Sequence, residues 1–137
     1  MEMKVELYIS CRKLKDLDVF SKSDPIVHML SWNERSRQWV KFGETELINN
    51  NLNPDFKKSF QVNYSFEKQQ KLRFNVWDKD INDMEEIGYL ETSMGSIMGA
   101  RNQTQTSELK YDKSAGKRGQ IIVRAESIVE SNHAVIF

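Results

Sequence analysis

Two short segments of this chain concentrate carboxylates. The first is Leu17-Asp18-Val19-Phe20-Ser21-Lys22-Ser23-Asp24-Pro25. The second is Trp77-Asp78-Lys79-Asp80-Ile81-Asn82-Asp83-Met84-Glu85-Glu86-Ile87-Gly88. Like charges packed this densely repel unless a cation neutralises them. The matching chemistry is coordination of a hard divalent cation such as calcium, which takes roughly six to eight oxygens from carboxylates, backbone carbonyls and water. One loop seldom supplies that many, whereas two loops meeting at one end of a fold do. Asp78 and Asp80 stand two residues apart, so both point to one face of an extended segment. Each loop alone also has an ordinary reading, because Asp and Asn favour turns; Asp24 before Pro25, taken singly, fits that reading better. An EF-hand loop beginning at Asp78 would need Gly at its sixth position and Glu at its twelfth. Those positions hold Asp83 and Tyr89, and Leu72–Trp77 before them reads as a strand, so that motif is rejected.

Positioning two such loops takes a rigid scaffold, and the sequence predicts a β one. Met3, Val5, Leu7, Ile9 and Cys11 alternate with Lys4, Glu6, Tyr8 and Ser10, the period of a half-buried strand. Further strands are expected at Pro25–Trp32, at Trp39–Phe42 and Glu44–Ile48 either side of Gly43, and at Phe56–Tyr64. The series continues with Leu72–Trp77, Gly88–Thr92, Glu108–Tyr111 and Gly119–Glu126. Ser23-Asp24-Pro25, the Asn49–Pro54 run and Ala115-Gly116-Lys117 supply turn chemistry between them. About eight short strands at this spacing predict an antiparallel β-sandwich or barrel. Ser93–Arg101 is the one helix candidate, weakened by two glycines.

The 137 residues suit one domain, and seven Phe, four Tyr and three Trp are ample for its core. Lys plus Arg and Asp plus Glu both total 20, so no net charge draws the chain to nucleic acid. Met1–Cys11 lacks the apolar stretch of a secretory signal, and no apolar run is long enough to span a bilayer. The single cysteine, Cys11, excludes an intrachain disulfide and fits a reducing, cytoplasmic compartment. Catalysis finds little support. Cys11 lies on the apolar phase of its strand, His28 on another strand and His133 in the tail, with no phosphate loop or zinc spacing.

Leu17-Asp18, then Ser23-Asp24-Pro25, an Asn53-Pro54 turn, Val76-Trp77-Asp78-Lys79-Asp80 and a later Ile87-Gly88 together resemble the C2 domain. The similarity runs over about residues 3–126. Within that family the chain looks closest to the first C2 domain of copines, through Ser21–Pro25, Asn50–Pro54, Gln70–Phe74 and Ile122–Glu126. The resemblance implies an eight-stranded antiparallel sandwich of type II topology, with the domain in residues 1–127. Residues 128–137, ending Ala134-Val135-Ile136-Phe137, are then either a tail forming a last edge strand or the start of a following domain. Copines carry two tandem C2 domains and a von Willebrand A-type domain, so the chain would be an N-terminal piece of such a protein.

Carried over by position, the resemblance makes Asp18, Asp24, Asp78 and Asp80 calcium ligands, with backbone carbonyls of Leu17 and Lys79 beside them. The last third-loop carboxylate falls on Glu85, where the family usually has Asp, and Asp83 is the alternative. The implied function is calcium-dependent binding to anionic phospholipid, with recruitment from cytoplasm to membrane when calcium rises; the other reading is a calcium-independent protein-interaction module. As an isolated domain the chain is expected to be a monomer. Val19, Phe20, Ile81 and Met84 are the expected membrane contacts, unless they fold back into the core. Lys57, Lys58, Lys68 and Lys71 offer a second lipid contact, but a solvated face explains them more simply.

Overall fold

The computed structural model describes residues 2–18 and 21–129, so the expectations for Val19, Phe20, His133 and the Ala134–Phe137 end fall outside the described residues. Eight strands form two four-stranded antiparallel sheets. One sheet has the order β4-β1-β8-β7, from β1 (Met3–Arg12), β4 (Phe60–Tyr64), β7 (Thr104–Glu108) and β8 (Gln120–Ser127). The other has the order β3-β2-β5-β6, from β2 (Pro25–Asn33), β3 (Gln38–Glu44), β5 (Lys71–Lys79) and β6 (Met84–Ser93). Strand β1 leads into the first acidic loop, as type II topology requires.

Alternation builds the core. Val5, Leu7, Ile9 and Cys11 of β1 face Val27 and Met29 of β2, Leu72, Phe74 and Val76 of β5, and Ile121 and Val123 of β8, all buried. Burying each such aliphatic or aromatic side chain stabilises the fold by about 1.5–3 kcal/mol before chain entropy is counted. Within the expected Ser93–Arg101 stretch, α1 (Met94–Gly99) is capped by Ser93, whose Oγ accepts the Ser96 N–H at 3.1 Å. Met94 and Ile97 fill the sandwich beneath it.

Four strand assignments differ from the sequence expectation by more than two residues. Glu44–Ile48 is not a strand, because Thr45 takes over the ladder. Its Oγ1 accepts the Val27 N–H at 2.9 Å while its own N–H donates to Val27 O at 2.9 Å. Phe56 lies outside β4, although it is buried and its N–H donates to Ile9 O at 3.1 Å. β6 runs back to Met84, well before the expected Gly88. β7 is Thr104–Glu108, with only an isolated bridge at Lys110, instead of Glu108–Tyr111. Its sequence, Thr-Gln-Thr-Ser-Glu, lies at a sheet edge and has no apolar alternation to betray it.

Pairing of β2 with β5 sets the functional end of the molecule. Their register places Pro25 opposite Asp78, so the end of the first acidic loop abuts the start of the second. β6 then returns with a bulge opposite Trp77, which leaves Ile87 without a ladder partner between Glu86 and Gly88.

Candidate metal centre

Asp78 occupies the core phase of β5, in line with Leu72, Phe74 and Val76, one step beyond the last apolar residue. It is therefore only 2% exposed. Its Oδ1 accepts the Asp24 N–H at 2.8 Å, while its Oδ2 has no hydrogen-bond partner. A buried carboxylate oxygen left unpaired carries a substantial desolvation cost. That burial, together with the nearby Asp18 and Asp80 charges, pushes the Asp78 carboxyl up to about 6, against the opposing Asp24 N–H.

Asp24 is fixed from three sides. Its carbonyl accepts the Lys79 N–H at 3.0 Å, its N–H goes to Asp78, and its Oδ1 accepts the Asn50 N–H at 2.7 Å. Asn50 reaches it by adopting a left-handed backbone (φ 49°), which Asn tolerates better than most residues. Ser23, fully buried, folds the first loop back on itself. Its Oγ accepts the Leu17 N–H at 3.0 Å and donates to Lys15 O at 3.1 Å. That bend brings Asp18 toward β5. One oxygen each from Asp18, Asp24, Asp78 and Asp80 lies within 4.8 Å of the others. Asp80 is solvent-facing, and its carboxyl is also raised, first by desolvation and then by Asp18, Asp24 and Asp83.

The structure thus brings together four of the expected acidic residues and leaves two apart from that group. Asp83 closes the third loop. Its carbonyl accepts the Asp80 N–H at 2.9 Å and its Oδ1 the Met84 N–H at 2.8 Å. Glu85 sits opposite Asp78 in the β5–β6 ladder and is exposed. Leu17 and Lys79 flank the cluster through the N–H bonds already given. Ile81 is 98% exposed at the third-loop tip. Met84 opens β6, half-buried, in a hollow shared with Leu17, Trp77 and Tyr111.

A residue outside the sequence reading braces the two loops. The Arg118 side chain, buried, donates from Nε to Ile87 O at 2.6 Å and from Nη2 to Glu86 O at 3.1 Å. Both carbonyls belong to the β6 bulge, and the guanidinium packs 3.7 Å over the Tyr111 ring. The Arg118 carbonyl accepts the Lys15 N–H of the first loop at 3.0 Å. No residue pattern marks this role, since only the bulge creates the carbonyls to be satisfied.

The donor set fits a hard divalent cation. It is all oxygen, densely anionic, and contains a buried carboxylate oxygen with nothing else to bind.

The model of the C2 domain family matches residues 4–109 of this chain. Copine-B of Dictyostelium discoideum is 39% identical over 142 aligned positions, which cover 98% of this chain. The chain spans only 26% of that protein's length. Among solved structures, a single C2 domain of plant Extended Synaptotagmin 1 is similar with a TM-score of 0.70 at 20% identity, covering 93% of this chain and 97% of that one. The calcium-bound tandem C2 domains of Extended-Synaptotagmin 2 give 0.69 at 18% identity, covering 91% of this chain and 45% of that one. With two stacked antiparallel sheets, its acidic loops at one end and a family match over most of its length, the chain belongs to the C2 domain family.

Proposed function

We propose that this domain binds calcium between its first and third loops and, so loaded, docks from the cytoplasm onto anionic phospholipid membranes. The observation that carries the reading is the partnerless Asp78 Oδ2, buried within reach of three further carboxylates. Calcium bound there would supply positive charge and open coordination positions for phosphate oxygens. The chain's own residues do the rest. Asp78 and Asp24, locked by backbone bonds, form a preset floor. Asp18 and Asp80, on the loops, close around it, with Asp83 or Glu85 available as a further carboxylate and Leu17 and Lys79 carbonyls as neutral oxygens. Neutralising this end removes its repulsion toward anionic lipid, an electrostatic switch. Ile81 stands ready to enter the interfacial layer, and Met84 borders it; Val19 and Phe20 keep the same role on sequence grounds alone. A calcium-bound relative in fold, Extended-Synaptotagmin 2, supports the assignment of the ion.

The test is sedimentation with phosphatidylserine-containing vesicles in calcium, in magnesium and in chelator, for the wild type and the Asp78→Asn/Asp80→Asn double variant. Calcium-specific sedimentation abolished by the double change is expected. Sedimentation that persists unaltered in the variant would sink the calcium switch and leave a calcium-independent module.

A further inference from the structure

All three tryptophans of the chain lie on one surface, the outer face of the β3-β2-β5-β6 sheet. Trp32 pairs with Trp39 across β2 and β3, and Trp77 stands opposite Ile26 on the β2–β5 ladder. His28 and Leu30 fall between them on the same strand phase. Two hollows share Trp39. One, of about 380 Å³, also touches Trp32, Lys71 and Glu91 and has a polar wall of Gln69, Thr92, Ser93 and Ser96, in which the Thr92 and Ser93 hydroxyls already donate to Gln105 Oε1 and Ser96 Oγ; the other, of about 270 Å³, touches Leu30, His28 and Trp77. Trp32 and Trp39 meet edge-on at 69° with centroids 5.3 Å apart, forming a cleft and not a flat plate. A solvated outer face needs none of this apolar surface.

Most charges of this face are spent on one another. Lys41 pairs with Glu44 at 2.5 Å and Arg73 with Glu91 at 2.6 Å. Arg73 Nε also donates to Asn75 Oδ1 at 2.9 Å, and Asn75 Nδ2 donates to Glu86 Oε2 at 2.7 Å. Lys71 lies 5.8 Å over the Trp32 ring. Four cations, Lys41, Lys71, Arg73 and Lys79, thus stand against three anions, Glu44, Glu86 and Glu91, and the two outside the ion pairs, Lys71 and Lys79, sit at opposite ends of β5. Among the described residues of this face, an anionic headgroup meets no free basic cluster, and a sugar meets few unspent hydrogen-bonding groups. What remains is aromatic surface suited to a ligand with little charge and little demand for hydrogen bonds. Proline meets both conditions, since it has no N–H and pre-sets an extended chain.

We infer that this tryptophan-lined trough binds an uncharged, proline-rich segment of a partner protein in the polyproline II conformation. The distance along β2 from the Trp32 level to the Ile26–Trp77 level is six residues, or about 20 Å. A polyproline II segment rising about 3.1 Å per residue covers it with about seven residues. Docking of such segments into aromatic grooves is a recurrent recognition mode. Trp32 and Trp39 lie at the end of the trough away from the acidic loops, and only Trp77 adjoins Asp78, so this binding needs no calcium.

Because no tryptophan lies elsewhere, intrinsic fluorescence reads the trough directly. The probe is a pool of zero-net-charge proline-rich dodecapeptides, titrated in chelator, beside the same pool with every proline replaced by alanine. A saturable emission shift with the proline pool alone is expected. It should weaken about tenfold or more in Trp39→Ala, recover largely in Trp39→Phe, and persist in Asp80→Asn. Circular dichroism and the melting temperature establish that the Trp39 variants are folded. Absence of a saturable shift across the whole pool overturns the inference. So does equal response to the alanine pool, or a shift given by anionic vesicles in chelator and by no peptide.

Discussion

Replacing Asp78 with Asn should stabilise the metal-free domain and abolish its stabilisation by calcium. In the metal-free state the Asp78 carboxyl is raised from 3.8 to about 6 by burial and by its acidic neighbours. Each unit is worth 1.36 kcal/mol, so the ionised form costs the fold up to about 3 kcal/mol near neutral pH. Asn keeps the Oδ1 that accepts the Asp24 N–H and places an amide donor at the position of the partnerless Oδ2, with the Asp18 carboxylate nearby. A gain of about 1–2 kcal/mol is expected at pH 7.5, which for a domain of this size raises the melting temperature by about 3–10 °C. Excess calcium reverses the order. At 100 times its dissociation constant, a ligand of the folded state adds about 2.7 kcal/mol, and only the wild type gains it.

The pH dependence has a definite sign. A carboxyl whose folded value lies above its unfolded value contributes stability that is present below about 4 and lost as pH rises through about 6. The chelated wild type should therefore gain stability as pH falls from 7.5 to 5. His28 works the other way, because burial and Lys41 lower its pKa, so its contribution is lost on acidification. Subtracting the Asp78→Asn profile from that of the wild type cancels His28 and leaves the Asp78 term. Melting curves in chelator at several pH values provide the assay. A variant less stable than wild type in chelator at pH 7.5, or a flat difference profile, refutes the reasoning.

Three further outcomes follow from the same geometry. Ile81→Asp should weaken calcium-dependent vesicle binding about tenfold or more while leaving calcium affinity in solution unchanged, since this side chain is almost wholly exposed; unchanged sedimentation would remove Ile81 from the membrane contact. Calcium titration calorimetry of Asp83→Asn and Glu85→Gln should show one variant binding several-fold more weakly than the other, and equal, wild-type-like binding by both would limit the carboxylate set to the four clustered aspartates. Arg118→Met should weaken calcium binding several-fold, with partial recovery in Arg118→Lys, because the β6 bulge and the first loop lose their shared brace. Simple removal of a nearby cation predicts tighter binding instead, so the sign of the change decides between bracing and electrostatics.

Most of the scaffold was legible because its strands obey the two-residue period: Met3–Cys11 and Leu72–Val76 announce both their faces and their burial. The carboxylate cluster was legible for a related reason, since Asp78 and Asp80 share a strand phase. Other features lacked such a signal. β7 is polar throughout and is held by pairing with β8, not by its own pattern. Thr45 ends a ladder through a side-chain hydrogen bond that propensity would count in favour of a strand. The bulge at Ile87 appears only when β5 and β6 are laid together, and with it the need for Arg118. Asn50 contributes a backbone N–H to Asp24, so its side chain carries no trace of the function beyond a tolerance for positive φ.

The position of Asp78 links stability to the proposed activity. Leu72, Phe74 and Val76 build the core by alternation, and Asp78 is the next residue on the same phase. The period that buries the apolar side chains therefore also buries a carboxylate, at the point where the sheet meets its loops. An apolar residue there would extend the core, and a carboxylate one residue earlier or later would point away from it. With Asp78 in place, the strain at neutral pH is relieved by a group that brings positive charge to Oδ2, so the gain in stability on filling the site measures how strongly it is poised for its ion. Asp80, on the same phase but beyond the core, adds charge with little burial. Substitution at Asp80 should accordingly lower calcium affinity with little effect on the metal-free melting temperature, whereas substitution at Asp78 changes both, in opposite directions.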